Sequence, residues 1–248
     1  MIKFLLTLAA IFFGLTIQAQ VESFAWYGID ADVPSGSREL MYDIHRRAHL
    51  PVTKEKLESA QTLRDFIPYY PDQWIAGYVS TELSVKNLGC NSRAISRNDR
   101  LSREQMSMLN SADIGTDLAV CMKYKSQDSN TGKIEERMMK LTVTVMPETE
   151  AMFVGGYPKM SRFVWDHAIS RINPAVSEKL QEARVGFTVN ENGEIIQTKM
   201  VISSGDAQTD RMLMDAVTRM PRWKPAESKG RRVNQEFEFS IYGGGRGC

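Results

Sequence analysis

His45 and His49 stand four residues apart in Ser37–Leu50, a stretch whose apolar stripe of Leu40, Ile44 and Ala48 predicts a helix. On one helix face that spacing brings two imidazoles toward a single zinc ion. Two imidazoles make half a site, no Glu stands between them, and His167 falls in a separate predicted helix. A solvated helix face accounts for the pair. Ser203 and Ser204 precede Gly205 without the Gly-x-Ser-x-Gly frame of a nucleophile elbow, so a helix cap explains them better than nucleophilic chemistry. Asp128, Asn130 and Gly132 have the opening spacing of a calcium loop, but the closing Glu is missing. No phosphate loop and no dinucleotide fingerprint occurs. Arg219, Arg222, Lys224, Lys229, Arg231 and Arg232 surround Trp223, a set that suits an anionic glycan or lipid or, more plainly, a solvated turn. The expectation is no catalytic residue, no metal and no cofactor.

Composition narrows the classes. With 31 Lys and Arg against 30 Asp and Glu, the chain has no basic excess with which to hold nucleic acid. A 42% hydrophobic content over 248 residues is enough for one or two real cores. Lys3 followed by the apolar run Phe4–Ile17 and Ala19 reads as a signal peptide over 1–19. Its apolar helix would be about 21 Å long, short of a hydrocarbon core of about 30 Å. Cleavage would leave no membrane span and a periplasmic or secreted protein. In that compartment Cys90 and Cys121 could pair, closing a loop worth on the order of 3 kcal/mol; two buried free thiols are the alternative. Cys248 follows a glycine-rich tail over 243–248.

The elements follow from periodicity. A second helix is expected over 53–67, with Thr53 as N-cap and Leu57, Ala60 and Leu63 as its stripe, so 20–71 reads as a helical segment. Residues 72–150 read as a small antiparallel β domain, a sandwich being one arrangement, with strands near Trp74–Val85, Leu118–Tyr124 and Met139–Val145. Ser102 and Gln105 form a capping-box pattern, and Asp128–Lys133 is a turn signal. After the polar Pro147–Glu150 boundary, Arg162–Ile172 reads as a helix. The alternation of Val185, Phe187 and Val189 predicts a strand, Asn192-Gly193 a hairpin turn and Ile195–Ser203 the return strand. Asp206 starts a helix striped by Leu213, Ala216, Val217 and Met220, and Pro221 stops it. Arg231–Tyr242 closes the chain as a strand with Phe237, Phe239 and Ile241 on one face. Trp223 is expected to anchor packing over the sheet. The fold class is α+β.

Gly155-Gly156, Asn190–Glu194, Ser203–Asp206 and Pro221-Arg222-Trp223-Lys224-Pro225 occur in the order and spacing of the TonB C-terminal domain, which the segment 151–242 resembles. The resemblance implies a small antiparallel sheet with helices on one face. It also implies binding of a partner's extended segment, of the outer-membrane-transporter kind, by strand addition at an open sheet edge. On this basis the partner-binding residues are Val233, Gln235, Glu236, Phe237, Glu238, Phe239, Ser240 and Tyr242, joined by Asn173 and Pro174, where Asn173 replaces the family's aromatic. An open edge of this kind also allows a homodimer. TonB itself carries a membrane anchor and a Pro/Lys-rich spacer, and neither is evident here. The leading expectation is a non-enzymatic envelope protein that binds a partner protein. A membrane-anchored energy transducer is the alternative, and a hydrolase with a site in 20–147 is another.

Overall fold

Alternation of apolar and polar side chains governs most of this chain, and the computed structural model describes it over residues 40–68, 70–87, 90–128 and 131–243. The expected signal peptide, residues 20–39 and the tail with Cys248 lie outside the described residues. In chain order the strands and helices begin with β1 (Leu40–Arg46), β2 (Leu50–Thr53), α1 (Lys54–Ser59), β3 (Gly77–Asn87), β4 (Cys90–Ser96) and α2 (Arg103–Ser111). Next come β5 (Asp117–Gln127), β6 (Ile134–Met146), α3 (Gly156–His167), α4 (Pro174–Ser177), β7 (Glu182–Val189) and β8 (Ile195–Ile202). The chain ends with α5 (Ala207–Thr218), β9 (Ala226–Ser228), β10 (Arg231–Val233) and β11 (Gln235–Gly243). All the described residues belong to one structural unit.

One sheet has the order β2-β6-β5-β3-β4. Its strands pair antiparallel except β2, which runs parallel to β6 with Leu50 opposite Val143. Val52, Leu83, Val85, Leu118, Val120, Val143 and Val145 fill a single core face, covered by Leu57 of α1, Leu63, Phe66 and Leu109 of α2. Thr53 does cap α1, accepting from the Lys56 N–H at 3.4 Å. The Ser102–Gln105 capping box also forms, and the buried Gln105 amide donates to the carbonyls of Thr81 and Ala94, each at 3.3 Å. The region is thus one sheet with helices on one side, not a sandwich.

The second sheet has the order β1-β11-β7-β8, all antiparallel. Ala183, Val185, Phe187 and Val189 of β7 and Phe237, Phe239 and Ile241 of β11 face α3 and α5, which supply Met160, Val164, Leu213, Ala216 and Val217. Helix, hairpin, helix and final strand therefore follow the predicted order. The expected helix over 162–172 is α3, which starts earlier, ends at His167 and is followed by a 3-10 turn over Ile169–Arg171. Trp223 is buried at the centre of this core, with ring centroids 5.7 Å from Phe153, 5.9 Å from Phe187 and 5.0 Å from Phe237.

The front segment departs from expectation. Residues 40–46 are a strand, not the helix that Leu40, Ile44 and Ala48 suggested, and residues 50–53 are a strand of the other sheet. Leu40, Tyr42 and Ile44 also alternate, and it is this period of two that packs on the core of the second sheet. The 147–150 boundary is tied to both sides: Glu148 accepts N–H groups from Glu55 at 3.1 Å and Lys229 at 3.2 Å, and Thr149 bridges to Glu227.

Candidate functional site

The expected partner-binding strand is built by the β7–β8 hairpin and by the turn before β9. Asn190 closes the hairpin, its side-chain oxygen accepting the N–H groups of Asn192 and Glu194 at 2.9 Å each. Gly193 takes φ 78°, a left-handed conformation that glycine adopts without strain. Its carbonyl accepts the Trp223 N–H at 2.7 Å, so hairpin and turn lock together and Trp223 is held under β7 and β11.

The structure overturns one expectation about this strand. β11 is not the open border of its sheet: β7 pairs along one side from Gln235 to Tyr242, and β1 pairs along the other from Phe237 to Gly243. The main-chain groups assigned to a guest are thus occupied by the chain's own front strand. Val233 lies in β10, opposite Ala226, outside β11 altogether.

The remaining candidate side chains are taken up by the chain's own fold. Gln235 is buried, accepting the Ala151 N–H at 2.7 Å and donating to Glu150 at 3.4 Å. Phe237 and Phe239 are core residues, and Ser240 is fully buried with no hydrogen-bond partner for its hydroxyl. Asn173 caps α4 by accepting the Ala175 N–H at 2.9 Å, and Pro174 occupies the first helical turn. These roles explain both residues without a partner.

Charges link the three strands across the outer face. Glu236 accepts from Arg47 at 2.7 Å. Glu238 accepts from Arg184 of β7 at 3.1 Å and lies 3.9 Å from His45 of β1. Arg184 also binds Glu182, and that bond, opposed by burial and reinforced by Glu238, raises its pKa. The hydrogen bond to Glu236 raises that of Arg47, again against burial. Sequence reasoning missed Leu40, Tyr42, Ile44 and Arg47 as residues of this site; the alternation from Leu40 to Ile44 was the available signal.

The residues considered for chemistry are dispersed. Because residues 40–46 are extended, His45 and His49 do not share a helix face. His45 lies beside Glu238, while His49 is 3.7 Å from Asp117 in the other sheet. His167 stacks on Phe163 with centroids 4.0 Å apart. Among the described residues no group of three or more His, Cys, Asp or Glu converges as a metal site. Ser203 and Ser204 both donate to Asp210 at 2.6 Å, and Asp206 caps α5, the capping arrangement that the sequence suggested.

Cys121 is a free thiol, which corrects the suggested bond to Cys90. Cys121 lies opposite Glu82, which lies opposite Ile95, whereas Cys90 pairs with Asn87 at the far end of β4. Five residues along and two strands across amounts to about 19 Å, beyond the roughly 7 Å limit for a disulfide.

Among the described residues no helix is long and apolar enough to cross a membrane. Residues 181–242, from the start of β7 through nearly all of β11, match the family model described as Gram-negative bacterial TonB protein C-terminal. No curated protein and no solved structure matches the chain.

Proposed function

We propose that the TonB-type C-terminal domain at residues 181–242 serves a non-enzymatic cell-envelope protein that binds an extended segment of an outer-membrane transport protein by strand addition. The observation that carries this reading is that the β11 side of the sheet already takes an added strand. β1 lies on it in seven-residue antiparallel register, from Leu40 opposite Gly243 to Arg46 opposite Phe237. β1 therefore sits in the seat of a guest, and a partner strand binds by exchange with it.

The strength of the two strands supports exchange. Ile44 is the one buried residue of β1, whereas Gln235 and Phe237–Ile241 of β11 are all buried. β1 is held chiefly by main-chain bonds, by half-buried Leu40 and Tyr42, and by exposed ion pairs such as Arg46–Glu150, which contribute little each. A partner segment that supplies equivalent main-chain bonds and three alternate apolar side chains can replace it.

The test is a lock. Asp43 and Ser240 lie directly opposite each other, at a separation of about 5.5 Å between Cα atoms, which a disulfide spans. A D43C/S240C chain is crosslinked in intact envelopes under reducing and oxidising conditions. Capture of an outer-membrane transporter by the reduced chain and its loss on oxidation is the expected result. Capture that ignores the lock overturns exchange, and absence of any transporter from both samples overturns the partner class. N-terminal sequencing of the cell-derived protein should begin at Gln20; an intact, membrane-held start would favour the anchored transducer.

A further inference from the structure

We infer that this protein forms a two-fold homodimer by antiparallel pairing of β6 with β6 of a second copy, centred on Met138. The inference concerns the other sheet and stands apart from the exchange of β1.

The 13-residue β6 pairs with β5 from Ile134 to Thr144, but β2 meets its other side only from Val143 to Met146. Val145 donates to the Thr116 carbonyl at 3.0 Å and accepts from Gly115 at 2.8 Å, so odd-numbered residues of β6 turn their main-chain groups toward β5. The register with β5 has no break from Ile134 to Thr144. Ile134, Glu136, Met138 and Lys140 therefore turn their N–H and C=O groups outward, where no strand among the described residues receives them. Such an edge is a template for another strand.

The side chains on that edge specify the occupant. In a two-fold antiparallel pair a residue on the axis meets its own copy, and residues equally distant from it meet each other. With Met138 on the axis, Glu136 faces Lys140 of the second copy, and Lys140 faces its Glu136. Both residues are exposed and have no ion partner among the described residues. Met138 and Ile134 are large apolar side chains left 52% and 66% exposed, and the pairing covers Met138 at its centre. Charges placed only to protect an edge have no need of opposite signs at equal distance from one residue. That symmetry fits a second copy of this chain better than an unrelated peptide. The axis residue is also a mutually hydrogen-bonded pair, because its main-chain groups point outward. The two sheets would then run on as one across the axis.

Sedimentation equilibrium of the purified protein from micromolar concentration upward should show a monomer–dimer equilibrium. Lys140→Glu opposes two carboxylates at both ends of the pairing and should weaken dimerisation by about tenfold. The double variant E136K/K140E restores opposite signs and should recover it, a rescue that a folding defect cannot give. With Cys90, Cys121 and Cys248 replaced by Ser, Met138→Cys should crosslink to itself on mild oxidation. A protein monomeric at every concentration, or a dimer indifferent to Lys140→Glu, overturns the proposal.

Discussion

The main-chain N–H of Trp223 donates to the carbonyl of Gly193 at 2.7 Å, joining two segments 30 residues apart into one support beneath the sheet. The hairpin supplies the acceptor because Gly193 is left-handed, and the Pro221–Pro225 turn supplies the donor because Pro221 ends α5 just before it. The bond holds the indole against Phe153, Phe187 and Phe237.

Gly193→Ala should be among the most damaging small substitutions. A Cβ at that position falls inside the van der Waals shell of the Trp223 carbonyl oxygen, and φ 78° is strained for alanine. A loss of about 3 kcal/mol is expected, read as a fall of roughly 10 °C in a thermal melt. An unchanged melting temperature would refute the contact.

Trp223 should separate packing from hydrogen bonding. Its indole N–H is buried without a partner, so Trp223→Phe forfeits no hydrogen bond and should cost under about 2 kcal/mol. Trp223→Ala empties the centre of the core and should cost about 3 to 5 kcal/mol. Denaturant titration of the pair distinguishes the two terms, and equal losses would contradict them.

Native-state hydrogen exchange should rank β1 below the strands it joins. Its amides should exchange before those of β7 and β11, since β1 buries one side chain and they bury most of theirs. Ile44→Ala removes that one anchor and should cost about 2 kcal/mol while widening the difference. Uniform protection across the sheet would show that β1 is as fixed as β11.

Acid should loosen the start of α5. Burial pushes the Asp210 carboxyl up, but the hydroxyls of Ser203 and Ser204 and the Ser204 N–H outweigh it and hold the group below the usual carboxylate range. A pKa depressed on folding stabilises the protein above the unfolded value, about 3.9, and this contribution is lost as pH falls through the folded value. Stability followed from about pH 5 to about pH 2 should therefore fall less steeply in Asp210→Asn, which is already weaker at neutral pH. Parallel curves would remove Asp210 from the acid response.

Local signals explain why the C-terminal part was readable. Asn190, Gly193, Asp206 and Pro221 each fix a turn or helix end through their own backbone chemistry, and the alternation in β7 and β11 fixes which face is buried. The front strand was not readable in this way. Leu40 and Ile44 fit a helical stripe with Ala48, and Leu40, Tyr42 and Ile44 fit a strand equally well. Helix propensity cannot decide such a case, because the side of β11 that receives this strand lies nearly 200 residues away. The same gap removed the expected docking edge and separated His45 from His49.

The amino-acid order alone determined the α+β character, the hairpin, the caps of α2 and α5, and the aromatic core around Trp223, because each rests on neighbours in the chain or on a simple period. Tertiary structure decided which border of each sheet stays open. A strand border is a property of pairing between distant segments, and only the folded chain brings β1 onto β11 and leaves β6 without a second neighbour before Val143.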